Sequence, residues 1–264
     1  MYDYSWNALL KPGEGSYYFN SIKRCNFNPD TTGYSYTNAW WLSELSRLIY
    51  KRDRDEAGRK ADGVCRNDIL KQVHLEEYRF LSNNEVQCAL IITTKKSLKK
   101  FGVLVFRGTK GNLTSWIANF KSKKASWPKG GFVHEGFKTI FFEMWKEIQT
   151  VLDNFDIPIF YTGHSRGGAL ATMLASLRPP RALYSFGSPK VGDKNFVATL
   201  NNVPVFRVVN NQDIVTTMPP SILPLKFKHA GKLYFLNTFA NKWNENHLNS
   251  NILERKIIQR HVGY

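Results

Sequence analysis

Between residues 157 and 172 the chain runs Ile157-Pro-Ile-Phe-Tyr-Thr-Gly163-His164-Ser165-Arg166-Gly167-Gly168-Ala-Leu-Ala-Thr. A short apolar segment ends in G-x-S-x-G and passes directly into small helix-forming residues. This pattern constrains the fold more than any other in the sequence, because it demands a sharp strand-to-helix turn with a serine at its apex. Gly163 and Gly167 carry no Cβ, so strand and helix can pass close to one another on either side of Ser165. A helix starting just after Ser165 aims its free N–H groups at any negative charge that develops there. G-x-S-x-G also arises by chance in many chains. Here the apolar strand before it, the extra Gly168 and the small-residue helix after it supply the setting that the motif requires.

The surrounding chain reads as alternating strands and helices. Asn38 to Tyr50 has apolar residues at helical spacing, with Asn38 as its expected N-cap. Lys51 to Gly63 is dense in charge and is expected to be a solvated loop. Glu85–Thr94 and Phe101–Arg107 are runs rich in branched residues, joined by the basic turn Lys95–Lys100, and predict a hairpin. Phe137–Leu152 has helical periodicity, Ile157–Thr162 is a short buried strand, and Arg166–Leu177 is a helix stopped by Pro179-Pro180. Ala182–Phe186 and Val203–Val209 complete the predicted strands. This order predicts an α/β fold with a mostly parallel central sheet and helices on both faces. The expectation is one domain over 1–264, in which residues 1–37 form an arm packed loosely over the rest.

Other classes are disfavoured by composition. With 264 residues, 42% of them hydrophobic and 14% aromatic, the chain can fill a core and does not read as disordered. No apolar run reaches the roughly 20 residues of a membrane-spanning helix. The first residues show neither the basic nor the apolar region of a secretory signal, so the expected location is cytoplasmic, or outside by a route not readable here. Cys25, Cys65 and Cys88 lack metal-ligand spacing and read as reduced thiols. The formal charge of +16 suits an anionic lipid surface or acidic substrates; without a nucleic-acid motif, nucleic acid is not an expected partner. The oligomeric state is not readable.

Five segments in order resemble the class 3 lipases, the family of the fungal triacylglycerol lipases and their bacterial relatives. They are V-L-V-F-R-G-T (103–109), F-V-H-E-G-F (132–137), T-G-H-S-R-G-G-A-L-A (162–171), S-F-G-S-P-K-V-G-D (185–193) and R-V-V-N-N-Q-D-I-V-T-T-M-P-P (207–220), with a weaker sixth in K-H-A-G-K-L-Y (228–234). The resemblance covers about residues 85 to 264. It implies an α/β-hydrolase-like fold, hydrolysis of carboxylic esters, no cofactor and a mobile lid.

A serine hydroxyl needs a histidine to remove its proton and a carboxylate to orient that histidine, in the chain order Ser, acid, His. Asp213 follows the strand Val203–Val209 at the end where sheet enzymes place active-site groups, and it matches the family's acid position. Asp193 competes but reads better as a turn residue. Of the histidines after Asp213, His229 belongs to a segment that is structural in the family. His261, in H-V-G-Y, resembles the fungal His-x-x-Tyr, whereas His247 resembles a bacterial histidine that opens the last helix. The reading favours His261 and keeps His247 open. His134 and His164 precede the acid and read as packing residues. The oxyanion requires preorganised donors. One is the backbone N–H of Arg166; by resemblance the other is Thr109, through its N–H and hydroxyl.

Gly111 to Phe120 matches the family's lid, and Leu113, Trp116, Ile117 and Phe120 form one helical stripe; a fixed core helix is the alternative. Lys121, Lys123, Lys124 and Lys129 follow it. That run suits peripheral contact with an anionic membrane or lipid surface, or is simply solvated. The resulting expectation is a serine hydrolase that cleaves lipid esters through an acyl-enzyme on Ser165, a triacylglycerol lipase or related lipase. The alternatives are a phospholipase or small-ester esterase on the same triad, and a non-catalytic lipid-binding relative.

Overall fold

The computed structural model of the chain describes residues 18–19, 26–51, 64–96, 99–109, 123–210, 213–219 and 226–236. In chain order its strands are β1 (Leu75–Ser82), β2 (Gln87–Thr93), β3 (Gly102–Phe106), β4 (Lys124–Ser126), β5 (Phe132–His134), β6 (Ile159–His164), β7 (Ala182–Phe186), β8 (Val205–Asn210) and β9 (Lys232–Leu236). Its helices are α1 (Tyr36–Leu48), α2 (Arg66–Lys71), α3 (Glu135–Asp153), α4 (Arg166–Leu177) and α5 (Lys194–Ala198), with a 3-10 turn at Ile214–Thr217. One sheet has the order β1-β2-β3-β6-β7-β8-β9, and β4 with β5 makes a separate hairpin. The β1–β2 and β2–β3 pairs are antiparallel, and from β3 onward every neighbour is parallel. Among the described residues no helix is long and apolar enough to cross a membrane.

Both faces of the sheet are covered, which explains the largely apolar runs of its central strands. In β3, β6 and β7, alternate residues serve opposite layers. Val103, Val105, Phe160 and Tyr184 pack with Trp40, Leu42 and Leu45 of α1. Leu104, Phe106, Tyr161 and Leu183 pack with α3 and α4 through Phe141, Met144 and Leu170. The helix α4 is buried almost all round, and its small residues let it lie against the sheet. A Cβ at Gly167 would stand 2.3 Å from the Phe106 carbonyl oxygen, so only glycine permits this approach.

The core elements fall where the sequence placed them, with α4 and β7 matching residue for residue. The N-cap of α1 is a correction. Ser35 accepts from the Asn38 N–H, while the Asn38 side chain turns away to bond the Asn28 backbone in both directions. Within the N-terminal arm, of which residues 18–19 and 26–37 are described, a few residues are anchored to the core. Tyr18 and Phe19 are buried against Trp40, Trp41 and Arg47, and Phe27 stacks on Phe101. The Phe19 N–H donates to buried Glu44, which also pairs with Arg47. Of the expected loop from Lys51 to Gly63, Lys51 is buried and 52–63 lie outside the described residues.

Candidate active site

Ser165 stands at the end of β6 with φ 55° and ψ −126°, a left-handed conformation rare for a residue with a side chain. Its neighbours hold it there. A Cβ on Gly163 would meet the Gly167 backbone at 2.5 Å, so the turn closes only with glycine on both sides of the serine. On the β7 side, the Ser165 N–H donates to the Phe186 carbonyl at 2.9 Å. Helix α4 starts at the next residue with no side chain capping it, which leaves its first amides facing the serine. The Ser165 hydroxyl is buried and has no hydrogen-bond partner among the described residues. Strain of this kind persists only where the surroundings impose it, and it clusters at functional sites.

Parallel strands bring the other groups to the same edge. β3 lies beside β6 in the register Phe106–Gly163, so Arg107-Gly108-Thr109 leaves the sheet next to the serine turn. Contact there is tight: a Cβ on Gly108 would fall 2.8 Å from the His164 carbonyl oxygen and 2.0 Å from the Tyr50 hydroxyl. Thr109 is buried, and its hydroxyl, like that of Ser165, has no partner among the described residues. Two strands over, β8 ends at Asn210 and Asp213 follows, buried. Asp213 caps the 3-10 turn: its Oδ1 accepts from the Val215 N–H at 2.9 Å, and its carbonyl accepts from the Thr216 hydroxyl at 2.7 Å. One carboxylate oxygen is thereby fixed in direction.

The acid turn is held from two sides. His229 Nε2 lies 2.8 Å from the Thr216 carbonyl, and Lys190 Nζ donates to the carbonyls of Thr217 (2.9 Å) and Pro219 (3.1 Å). Burial, with Arg207 and Lys190 nearby, depresses the His229 pKa from 6.5 to about 4, so its ring is neutral at pH 7. His164, behind the serine, is depressed to about 4 by burial alone. His134 caps α3, accepting at Nδ1 from the Phe137 N–H. Asp193 caps α5 and accepts from Asn195, Phe196 and Phe132. All four have the structural roles that the sequence suggested.

Ser165, Arg166 and Thr109 thus lie at the ends of adjacent strands, and Asp213 follows β8 at the same edge of the sheet. His261 and His247 lie outside the described residues, as do the lid segment 111–120 and Lys121. Lys123 and Lys129 are exposed, whereas Trp127 between them belongs to the core and donates to Ser176. Sequence reasoning gave no role to Tyr50, Glu85, Gln87 or Lys190, which contact His164, Arg166, Arg107 and the turn after Asp213 in that order. Lys190 sits inside a quoted motif; the other three act from elements remote in sequence, and nothing local marks them. Among the described residues no group of three or more His, Cys, Asp or Glu side chains is placed to hold a metal ion.

Comparison with known proteins gives a consistent result. Residues 103–222 match the family model described as Lipase (class 3). A lipase of Rhizomucor miehei is 35% identical over 151 residues, 50% of this chain and 41% of that protein. A solved structure of the Rhizomucor miehei triacylglyceride lipase is similar at 30% identity, covering 62% of this chain and 67% of that one, with a TM-score of 0.52. Another, of a triacylglycerol lipase whose catalytic centre is described as a serine protease triad, is similar at 28% identity with a TM-score of 0.62, covering 75% of this chain and 79% of that one. The chain spans less than two thirds of the length of the curated relatives it matches.

Proposed function

This chain belongs to the class 3 lipase family, and from that premise we propose that it hydrolyses carboxylic esters of lipids through an acyl-enzyme on Ser165. The observation that carries the reading is the backbone of Ser165, held at φ 55° between two glycines at the uncapped start of α4. That geometry sets the hydroxyl beside the Arg166 and Gly167 N–H groups at the helix start, the Gly168 and Ala169 N–H groups being bonded to the Ser165 carbonyl.

In the proposed reaction, Ser165 Oγ attacks the ester carbonyl carbon and its proton passes to a histidine. The carbonyl oxygen becomes an oxyanion facing the N–H groups of Arg166 and Thr109, with the Thr109 hydroxyl as a further donor. Collapse of the tetrahedral intermediate breaks the bond to the alcohol, which leaves with the proton from the histidine. Water then attacks the acyl-enzyme by the same proton route, releasing a fatty acid and restoring Ser165. Asp213 orients the histidine, and its capping bond to Val215 keeps the carboxylate aimed. We assign the base to His261, with His247 as the competing position. The substrate partner is a lipid or other ester, and exposed Lys123 and Lys129 support peripheral contact with an anionic lipid surface.

The test is labelling by a fluorophosphonate probe together with an ester panel of triacylglycerol, monoacylglycerol, phospholipid and short p-nitrophenyl esters. Wild type is expected to be labelled and to hydrolyse at least one class, and Ser165→Ala to do neither while remaining folded. Loss of activity on the order of 10⁶-fold matches removal of a triad nucleophile. Turnover near wild type by Ser165→Ala removes the assignment.

A further inference from the structure

The two oxyanion amides come from different elements, the loop after β3 and the start of α4. The ladder between β3 and β6 ends at the pair Phe106–Gly163, so it stops short of both donors. Yet an oxyanion needs its donors about 2.7–3.1 Å from one point. Something beyond the ladder must set their spacing.

Two arginine side chains show what does so. Arg166, directly after the serine, has only 11% of its side chain exposed. Its Nη2 donates to the Glu85 carbonyl at 2.7 Å, and its Nη1 pairs with Glu85 Oε2 at 3.4 Å. Arg107, two residues before Thr109, donates from Nη1 to Gln87 Oε1 at 2.5 Å and from its backbone N–H to the Gln87 carbonyl at 2.9 Å. Glu85 and Gln87 are two residues apart on one turn, and that turn is itself tied. Asn83 Oδ1 accepts from the N–H groups of Glu85 and Val86 at 2.9 and 2.6 Å, and the Asn83 N–H donates to the Val86 carbonyl at 3.0 Å. A single short stretch between β1 and β2 therefore grips the side chain of one donor residue, Arg166, and a residue two before the other, Thr109.

We infer that Glu85 and Gln87 are positioning residues that fix the distance between the oxyanion donors, acting through Arg166 and Arg107 on the transition state of ester cleavage. The inference rests on the reading of Ser165 as nucleophile and of Arg166 and Thr109 as donors. It goes beyond that reading by assigning a catalytic consequence to two side chains that touch no substrate. A stability role alone is a poor account of the Glu85–Arg166 pair, because Glu85 has 54% of its side chain exposed and ion pairs of that kind contribute little to folding.

The experiment compares Arg166→Met, which keeps the backbone amide, with Gln87→Leu and Gln87→Glu, the last retaining an acceptor oxygen for Arg107. Steady-state kinetics on a soluble p-nitrophenyl ester, the rate of fluorophosphonate labelling and the melting temperature are measured on each, with Ser165→Ala alongside. Arg166→Met and Gln87→Leu are expected to lower kcat about tenfold, within the roughly 10²-fold that a 1 Å misplacement costs, with KM changed less than about twofold. Labelling slows by the same factor, and Gln87→Glu restores most of both rates. Wild-type kcat and labelling in Arg166→Met and Gln87→Leu, with or without a lower melting temperature, overturn the brace, as does failure of Gln87→Glu to recover activity. Undiminished turnover by Ser165→Ala overturns the nucleophile reading and the brace with it. Loss of labelling in Ser165→Ala beside unaltered brace variants overturns the brace alone.

Discussion

The hydroxyl of Tyr50 lies 3.4 Å from Nδ1 of His164, the residue that precedes the strained serine, and it packs so close to Gly108 that a Cβ there would fall 2.0 Å from it. One oxygen from the end of α1 thus joins the strand that leads to Thr109 and the strand that leads to Ser165, on the side of the sheet away from α4. Burial holds the tyrosine protonated and the histidine neutral, so neither group carries charge at pH 7.

Tyr50→Phe deletes that oxygen and leaves the ring. Loss of one partner in a buried polar contact costs about 1–3 kcal/mol of stability. We expect a folded protein with kcat lowered by about tenfold, less than the roughly 10²–10³-fold for outright loss of an oxyanion donor. Kinetics on a soluble ester beside a thermal melt check this, and an unchanged kcat would show that the hydroxyl serves packing alone.

The glycines of the serine turn make a sharper case. At Gly167 an added methyl meets the Phe106 carbonyl at 2.3 Å, and at Gly163 it meets the Gly167 backbone at 2.5 Å. Backbone on both sides leaves no flexible side chain to yield. Gly167→Ala and Gly163→Ala should each cost about 3 kcal/mol or more, above the usual range for point changes. Gly33→Ala, whose methyl has only Thr31 Oγ1 at 3.8 Å nearby, should stay within about 1 kcal/mol of wild type. Urea unfolding of the three variants decides it, and equal midpoints would contradict the observed packing.

The two depressed histidines make stability depend on pH. His164 and His229 titrate near 4 in the fold and near 6.5 when unfolded. Between those values the unfolded chain binds more protons, so stability is complete above pH 6.5 and falls as the pH drops toward 4. The loss per histidine is at most about 3 kcal/mol over that window. Melts from pH 7.5 to 4.5 should show a falling midpoint, and His229→Gln should flatten part of the slope. A midpoint that holds steady through pH 5 would refute the buried neutral rings.

Legibility in the sequence followed burial. The strand β6, helix α4 and strand β7 stood out because both faces of the sheet are covered and nearly all of their residues are buried and apolar or small. β1 (L-E-E-Y-R-F-L-S) was missed, since an edge strand with exposed Tyr78, Arg79 and Phe80 and a register shift between Glu77 and Arg79 carries neither an apolar run nor clean alternation. β4 and β5 have three residues each, too few to show a period. Asn38 resembled a cap because its side chain can accept from a helix amide, but Ser35 takes that role and frees Asn38 to tie down Asn28. The proposed roles of Ser165, Arg166 and Asp213 come from motif and chain order. Their braces do not: the Arg166–Glu85 contact spans 81 residues and the Tyr50–His164 contact spans 114.

The base is decided by comparing His261→Ala with His247→Ala on one soluble ester. Both follow Asp213 as the triad order requires. The first is expected to abolish turnover and the second to change it less than about tenfold, as for an ordinary surface substitution. The reverse pattern moves the role to His247.

Charge and function meet at the hairpin that follows the expected lid. Lys124 carries its ammonium 5.9 Å from the ring of Phe132, which is 46% exposed, and Lys123 and Lys129 are exposed beside it. An apolar ring flanked by cations suits the boundary between headgroups and acyl chains. Each lysine near an anionic surface adds roughly 1 kcal/mol of attraction, fading within a Debye length. Replacing Lys121, Lys123 and Lys124 by Gln should therefore weaken sedimentation with anionic vesicles by one to two orders of magnitude at low salt, roughly the sum of three such attractions. Hydrolysis of vesicle lipid should slow in step, while a soluble short-chain ester is cleaved as before, because the residues proposed for the chemistry are untouched. Added salt should reproduce the mutant's behaviour on vesicles and leave the soluble ester unaffected. Measuring binding with Ser165→Ala protein separates adsorption from turnover. Equal vesicle binding by the triple variant and wild type at low salt sinks the hypothesis, and the +16 charge then acts elsewhere on the surface.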